Sequence, residues 1–215
     1  CMLEERGKKH VVISQIEHDS VYEAATHMFK PSGKVNIKDD FYTQFIHTKS
    51  DGTVDVKHLE ALLDEDESIG LVSVMYVNNE TGAVNPINHI GEICRDRGIL
   101  FHTDCVQAAG CHPIDANIIG CDFATISGHK IYAPKGIGAI YIKDKTLARS
   151  LIYGGANQEF GLRGGTENVA SIVGLGKACD LICSDFGTQR VTVSLLKRLF
   201  YENMISYLKE LNLED

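Results

Sequence analysis

Short apolar segments alternate with amphipathic ones from residue 10 to residue 143, and this alternation constrains the fold more than any other feature of the sequence. The clearest segment is "IGLVSVMYV", residues 69–77, which is almost wholly apolar, as is typical of a strand covered on both faces. Five further strands are predicted, at residues 10–14, 41–48, 98–104, 121–127 and 136–143. Helical spacing predicts helices at residues 20–29, 55–65 (capped by Asp55) and 87–97. The alternation predicts a three-layer α/β/α fold with a mixed, mainly parallel sheet.

The remainder of the chain has helical spacing and no further strand pattern. "ENVASIVGLGKACDLI", residues 167–182, and "VSLLKRLFYENMISYLKELN", residues 193–212, are predicted as two separate helices.

Composition excludes several classes of function. With 21 Lys and Arg against 29 Asp and Glu, the net charge is −8, and no basic run suited to a phosphate backbone occurs, so we expect no nucleic-acid binding. No apolar run approaches membrane-spanning length, and the first residues lack an apolar signal core. Seven cysteines without a C-x-x-C pair argue against a disulfide framework and a zinc ribbon. We therefore expect a cytoplasmic protein that does not bind membranes.

Polar clusters follow four of the predicted strands, where open α/β sheets place their ligand sites. They are "QIEH" (15–18), "NNETG" (78–82), "HTD" (102–104) and "SGHK" (127–130). No G-x-G-x-x-G turn follows the first strand, which disfavours a dinucleotide, and the histidines and acids lack a recognised metal spacing. Pyridoxal phosphate requires a lysine for its aldehyde and an acid for its pyridine nitrogen, and Lys130 and Asp104 match these two requirements.

Five motifs together carry a family resemblance. "SQIEH", "VNNETG", "HTDCVQAAG", "SGHKIYAPKGIGAIYI" and "GLRGGTENV" occur in the order and approximate spacing of cysteine desulfurases, which belong to the aminotransferase class V group of fold-type I pyridoxal-phosphate enzymes. The similarity runs from about His10 to about Lys177. It implies a homodimer that converts L-cysteine to L-alanine and transfers the sulfur, as a persulfide, to an acceptor protein in a pathway such as iron–sulfur cluster assembly, RNA thiolation or DNA modification.

The resemblance also implies catalytic roles. Lys130 would bond covalently to the cofactor aldehyde and then act as acid and base at the α-carbon of the substrate. Asp104 would pair with the pyridinium nitrogen. His18 would stack on the ring and transfer a proton at the substrate thiol.

Five other residues are implied to bind the cofactor. Asn79 and Gln107 would form hydrogen bonds with its phenolic oxygen. Ser127 and His129 would bind its phosphate, and Thr166 would reach the phosphate from a partner subunit.

Each role has a structural alternative. Asn79 and Gln107 could be turn and helix-surface residues, and Ser127 and His129 could form hydrogen bonds with the backbone only. Asp104, His18 and Thr166 are all placed to cap helices, and the glycine-rich segment before Thr166 is compatible with a plain loop. Lys130 could be a solvated loop residue, but we expect it between two apolar strands, where an unpaired ammonium group would be costly. The motif context favours the cofactor roles.

The cysteines match the family least. Its nucleophile lies on a mobile loop in the carboxyl-terminal part, and no cysteine here has that context; even Cys105, beside Asp104, should point away from the substrate. We expect buried structural thiols and no turnover by residues 1–215 alone. The phosphate loop and small domain of the family are not recognised, which predicts a central piece: a partial cofactor domain over 1–185 and a helix over 186–215 leading toward a small domain. A selenocysteine lyase and a non-catalytic or split subunit remain alternatives.

Overall fold

The computed structural model describes residues 2–28, 30–31, 41–155, 157–211 and 213. The described strands form one sheet, and their bounds are β1 (His10–Ser14), β2 (Lys30–Pro31), β3 (Tyr42–Ile46), β4 (Ile69–Ser73), β5 (Leu100–Asp104), β6 (Phe123–Ser127) and β7 (Gly138–Ile142). The α-helices are α1 (Met2–Glu5), α2 (Asp19–Met28), α3 (Val56–Glu65), α4 (Ile87–Asp96), α5 (Ala116–Ile119) and α6 (Val169–Glu210).

The sheet has seven strands in the order β2-β3-β1-β4-β5-β6-β7. Every neighbouring pair is parallel except β6 and β7, which run antiparallel. This arrangement confirms the predicted mixed, mainly parallel sheet. The carboxyl ends of β1, β4, β5 and β6 therefore lie along the same edge.

Apolar side chains cover both faces of the sheet. On one face, Val12 and Phe101 belong to a buried cluster that includes Leu59 of α3 and Ile90 of α4. On the other face, Leu3 of α1 belongs to a second buried cluster, with Val11, Leu100 and Phe123. Because successive strand residues point to opposite faces, the two clusters make helix layers on both sides of the sheet. The three-layer α/β/α prediction is confirmed.

Particular residues determine where α3 begins and how closely α4 packs against α5. Asp55 caps α3, as predicted, because its side chain accepts hydrogen bonds from the backbone N–H groups of Lys57 and His58. In α4, a Cβ atom at Gly91 would approach Ile119 O to 1.9 Å, so only glycine allows α4 and α5 to come this close.

The predicted bounds differ from the observed ones at several ends. The strand predicted at 69–77 ends at Ser73, although Val74 N and Tyr76 N still donate hydrogen bonds to His102 O and Asp104 O of β5. The predicted strands at 98–104, 121–127 and 136–143 are each shorter than the pattern indicated. The ends of two predicted helices, residues 29 and 212, lie outside the described residues.

The prediction of two carboxyl-terminal helices is wrong, since α6 is one helix of 42 residues. The intervening segment contains no proline, and Gly187 within it lowers helix stability by only about 1 kcal/mol relative to alanine. The predicted boundary between residues 185 and 186 falls inside α6, and the division into two parts stays a prediction. Of the helices in the described ranges, none is both long enough and apolar enough to cross a membrane.

Candidate functional site

Four neighbouring strand ends bring most of the predicted site residues to one edge of the sheet. Ile13 near the end of β1 pairs with Ser73 of β4, Ser73 pairs with His102 of β5, and Asp104 pairs with Thr125 of β6. The polar segments that follow these strands therefore start side by side. They carry the predicted residues His18, Asn79, Asp104, Gln107, Ser127, His129 and Lys130.

Asp104 is the buried acid of this edge. Its side chain is 5% exposed, and its Oδ1 accepts a hydrogen bond from Val106 N at 2.8 Å. Burial is the main influence and raises the pKa of Asp104, while this hydrogen bond and the charge of His18 lower it. The hydrogen bond from Val106 N resembles the helix-capping contact that was the alternative role for Asp104. It uses one carboxyl oxygen, and a cation placed against the buried carboxyl would offset the cost of its burial.

His18 lies close enough to Asp104 for the two charges to interact. The backbone N–H of Ser20 donates to its Nδ1 at 3.1 Å, and the Ser20 hydroxyl lies 2.9 Å from the same atom. The predicted alternative, a histidine at the start of α2, is therefore observed. Because Nδ1 accepts from the backbone, the neutral ring carries its proton on Nε2, the atom that remains for a ligand.

The end of β6 presents an amine, a hydroxyl and an imidazole. Residues Gly128–Ile131 form a single 3-10 turn, in which Ser127 Oγ lies 2.8 Å from His129 Nδ1. Lys130 lies between β6 and β7, as expected, but it is exposed on this turn, so the expected cost of burying its ammonium group does not arise. The chain turns out of the sheet directly after Ser127, and the tightness of the turn requires Gly128, where a Cβ would approach Ile137 O to 2.9 Å.

The loop after β4 contains a residue that sequence reasoning did not single out. Asn79 is exposed, whereas Asn78 is buried and organises the loop. Asn78 Oδ1 accepts from Glu80 N at 3.0 Å and Thr81 N at 2.8 Å, and its amide donates to Ile16 O at 3.0 Å. Asn78 therefore ties the loop that carries Asn79 to the loop that precedes His18.

Glu17 is a second residue that was missed. Its carboxyl is buried, and Oε1 accepts hydrogen bonds from Met75 N at 2.7 Å and from the Ser14 hydroxyl. The signal in the sequence was a glutamate soon after a short β-branched strand, in the cluster "QIEH" from which only the histidine was chosen.

Gln107 and Thr166 have fewer contacts. Gln107 is half-buried in the turn that follows Asp104. Thr166 is exposed and does not cap α6, because the cap is Asn168, whose side chain accepts from Ser171 N at 3.3 Å. Their cofactor roles, and those of the other six residues, stay predictions.

Specific contacts hold the described residues of the glycine-rich segment before Thr166, which are residues 154–155 and 157–165. Gly164 N donates to Ile152 O at 2.8 Å, and Gly165 N donates to Gln158 Oε1 at 2.7 Å. A Cβ on Gly164 would approach Gly154 N to 2.4 Å, so the backbones of the two loop segments around Gly154 and Gly164 are in contact. The segment is therefore more than the plain loop of the alternative.

The described cysteines are free thiols, but only half of them are buried. Burial raises the pKa of Cys94 and Cys105 to about 12 and that of Cys121 to about 11, which makes them poor nucleophiles. Cys105 lies in the cluster under α4, as expected for a side chain pointing away from the site. The expectation of burial is wrong for Cys111 and Cys183, which are exposed. Cys179 is partly exposed on α6, and Cys1 lies outside the described residues.

Comparison with known proteins gives consistent relatives. A cysteine desulfurase from Mus musculus is 38% identical over 204 residues, which make up 94% of this chain and 42% of that protein. A cysteine desulfurase from Nostoc sp. is 42% identical over 182 residues, or 84% of this chain and 42% of that protein. The chain thus spans less than half the length of these curated relatives.

Comparison with solved structures gives related proteins too. A NifS-like protein from Rickettsia africae superposes with a TM-score of 0.79 at 34% identity, over 97% of this chain and 54% of that one. The structure of SspA in complex with cysteine superposes with a TM-score of 0.72 at 36% identity, over 83% of this chain and 48% of that one. Residues 3–211 match the family aminotransferase class V. The resemblance that the five motifs indicated is confirmed, and the chain belongs to the class V aminotransferase family.

Proposed function

We propose that the protein is a pyridoxal-phosphate-dependent cysteine desulfurase, which converts L-cysteine to L-alanine and transfers the sulfur as a persulfide. The observation that carries this proposal is the buried Asp104 beside His18, one strand away from the exposed amine of Lys130. The identity of 38% to 42% with curated cysteine desulfurases supports the choice of reaction. L-Cysteine as substrate is supported by the related structure of SspA, which is described in complex with cysteine.

The residues at the sheet edge fit the cofactor. A buried carboxyl whose pKa is raised by burial suits a cationic ring nitrogen, because the cation would offset the cost of burying the charge. The exposed Lys130 is accessible to an aldehyde. The Ser127 hydroxyl and the His129 imidazole lie side by side at a strand end, and both are groups that can donate a hydrogen bond to a phosphate group.

Bound pyridoxal phosphate supplies an electron sink that stabilises negative charge at the α-carbon of an amino acid. Asp104 would keep the ring nitrogen protonated. Lys130 would bind the aldehyde and, once displaced by substrate, would move a proton at the α-carbon. His18, with Nδ1 engaged by Ser20, would use Nε2 to exchange a proton with the substrate thiol.

The remaining predicted residues would orient the cofactor. Asn79 and Gln107 would bind the phenolic oxygen, and Ser127, His129 and a partner's Thr166 the phosphate. The protein would act as a homodimer, with a sulfur-acceptor protein as its second partner. We also propose a cytoplasmic location, for which the support is the sequence alone: an odd number of cysteines without a C-x-x-C pair.

Cofactor attachment tests the proposal directly. The native protein would be reduced with borohydride in the presence of pyridoxal phosphate, digested, and analysed by mass spectrometry. We expect the label on Lys130, and we expect Lys130→Ala to lose both the label and alanine formation from L-cysteine. Lys135→Ala, at an exposed lysine five residues further along, is the matched control and should retain both.

The same assay separates the alternatives. A preference for L-selenocysteine over L-cysteine would favour a selenocysteine lyase. A label on Lys135 or Lys143 in place of Lys130 would overturn the assignment of the lysine.

A further inference from the structure

Glu17 lies at the base of the site, where the carboxyl ends of β1 and β4 meet. It is 8% exposed, and its Oε1 accepts hydrogen bonds from Met75 N, which follows β4, and from Ser14 at the end of β1. Its other oxygen, Oε2, is buried and has no hydrogen-bond partner within the described part of the chain. Asp104 is near enough for its charge to act on Glu17. These contacts serve no step of the chemistry described above.

An ionised Glu17 would be unfavourable at this position. One carboxylate oxygen would be buried without a donor, and a second carboxylate, Asp104, would lie close by. Burial, the largest influence, raises the pKa of Glu17 to about 8; the bonds from Ser14 and Met75 oppose this rise, and the charge of Asp104 adds to it. A proton on Oε2 removes the unpaired charge and supplies a donor.

The state of Glu17 bears on Asp104. Two carboxylates in one buried site do not both ionise readily, so a negative Glu17 would raise the proton affinity of Asp104. A protonated Asp104 would be neutral and would no longer favour a cationic ring nitrogen. His18 is the other charged neighbour of Asp104, and its charge acts in the opposite sense, because it lowers the pKa of Asp104.

We propose that Glu17 is a positioning residue with two roles. It stays protonated, so that Asp104 is the ionised member of the buried pair. It also joins the ends of β1 and β4 next to His18. This inference rests on the proposed cofactor chemistry. Glu17 does not touch the substrate in this role. It acts through the charge of Asp104 and through the backbone beside His18.

The role predicts a dependence on pH. The pKa of Glu17 is raised from 4.5 to about 8, so its contribution to folding is fully present below pH 4.5 and is lost as the pH rises through about 8. Activity should decline over the upper part of the same range, because ionised Glu17 then competes with Asp104 for the negative charge. Glutamine is neutral and has the same shape, so Glu17→Gln should abolish both the loss of stability and the decline in activity that accompany the ionisation of Glu17.

The experiment compares wild-type native protein with Glu17→Gln, Glu17→Leu and the control Glu65→Gln, at an exposed glutamate of α3. Infrared spectra are recorded from pH 5 to pH 9, together with unfolding free energies and rates of alanine formation. We expect a carboxylic-acid carbonyl band in the wild type at pH 6 that Glu17→Gln removes and Glu65→Gln retains. We expect the kcat/KM of Glu17→Gln to stay within about threefold of the wild-type value. The kcat/KM of Glu17→Leu should fall at least about tenfold, because leucine loses the buried hydrogen bonds.

The infrared band decides the protonation of Glu17 independently of catalysis. An ionised carboxylate at pH 6, or a Glu17→Gln variant as impaired as Glu17→Leu, would overturn the inference. If the wild type formed no alanine, the proposed function would fail. In that case the role toward the cofactor would fail with it, while the band and the pH dependence of unfolding would still establish or refute a protonated Glu17.

Discussion

Burial divides the candidate site into two groups of side chains. Asp104 and Glu17 are buried by this chain, so their ionisation is determined by contacts within it. Lys130, His18 and Thr166 are exposed, and their environments depend on what binds against them. Substitutions of the buried acids therefore test the chain's own chemistry most directly.

Asp104→Asn tests the charge of the buried acid. The amide oxygen can still accept from Val106 N, so the turn should persist, but the negative charge is lost. We expect covalent cofactor attachment to Lys130 to remain and kcat to fall by about 100-fold or more, as for removal of a group that stabilises developing charge. The measurement is alanine formation alongside the amount of cofactor fixed by borohydride. Asp180→Asn, at an exposed position of α6, is the control, and near-normal turnover by Asp104→Asn would remove the proposed role.

The sequence could predict the positions of Lys130, Asp104 and His18 because each stands in a motif of adjacent letters. Glu17 and Asn78 were missed for a physical reason. The hydrogen bond from Met75 N to Glu17 spans 58 residues, and the one from Asn78 to Ile16 O spans 62. Such pairings arise only when parallel strands bring distant loops together, so composition and spacing do not reveal them.

At the scale of elements, Asp66 joins the turn before β4 to β1 and β3, at the end of the sheet opposite the candidate site. It follows α3 and accepts hydrogen bonds from Ser68 N at 2.8 Å, His10 Nδ1 at 2.6 Å, Gln44 Nε2 at 2.7 Å and Tyr42 OH at 3.1 Å. Burial acts to raise the pKa of Asp66, but the bonds from His10, Ser68 and Tyr42 and the charge of His10 outweigh it, so the net shift is downward. The cluster fixes the turn from α3 into β4 against β1 and β3.

Asp66→Asn should destabilise the fold without affecting the site. We expect the free energy of unfolding at pH 7 to fall by about 2 kcal/mol, the magnitude for hydrogen bonds to a charged group. The pKa of Asp66 is lower in the folded state than in the unfolded state. Its contribution to stability is therefore present at pH values above the unfolded pKa and is lost as the pH falls through the folded pKa. The variant should therefore lose less stability than the wild type between pH 5 and pH 3.

Denaturant unfolding at several pH values measures this difference. Asp64→Asn, on the exposed side of α3, removes the charge from an exposed, hydrogen-bonded ion pair with Arg97 and should change the free energy of unfolding by less than about 0.5 kcal/mol. Equal losses in the two variants would show that the contacts of Asp66 contribute no more than a surface pair.

The elements themselves were predicted well where periodicity and caps agreed. The strand "HVVIS" has the predicted bounds, and α3 begins after its predicted cap Asp55. The prediction failed in α6, where residues 183–192, between the two predicted helices, continue the helix. A helix continues through such a gap when neither proline nor a cap interrupts its hydrogen bonds, and hydrophobic spacing alone does not report this.

At the scale of the whole molecule, three highly exposed apolar side chains lie within residues 151–160, in and just before the glycine-rich segment. Leu151 is 84% exposed, Tyr153 is 88% exposed and Phe160 is 86% exposed. Phe160 also has a positive φ of 56°, a conformation that is costly for a bulky residue. The loop that presents these side chains ends at Thr166, the residue proposed to reach the cofactor of a partner subunit. Exposed aromatic side chains beside a cross-subunit residue are consistent with the proposed homodimer.

Replacement of Tyr153 and Phe160 by serine tests this assembly and its connection to the cofactor. Burial of each large apolar side chain contributes about 1.5–3 kcal/mol, so the double variant should raise the dissociation constant of the dimer by at least about 100-fold. Sedimentation equilibrium of the native protein measures the change, with Ile118→Ser, 67% exposed on α5, as the control. If Thr166 binds the phosphate across the interface, cofactor retention should fall in parallel with dissociation, and raising the protein concentration should restore both. A double variant that dissociates yet retains its cofactor would refute the role of Thr166, and one that remains dimeric would place the interface elsewhere.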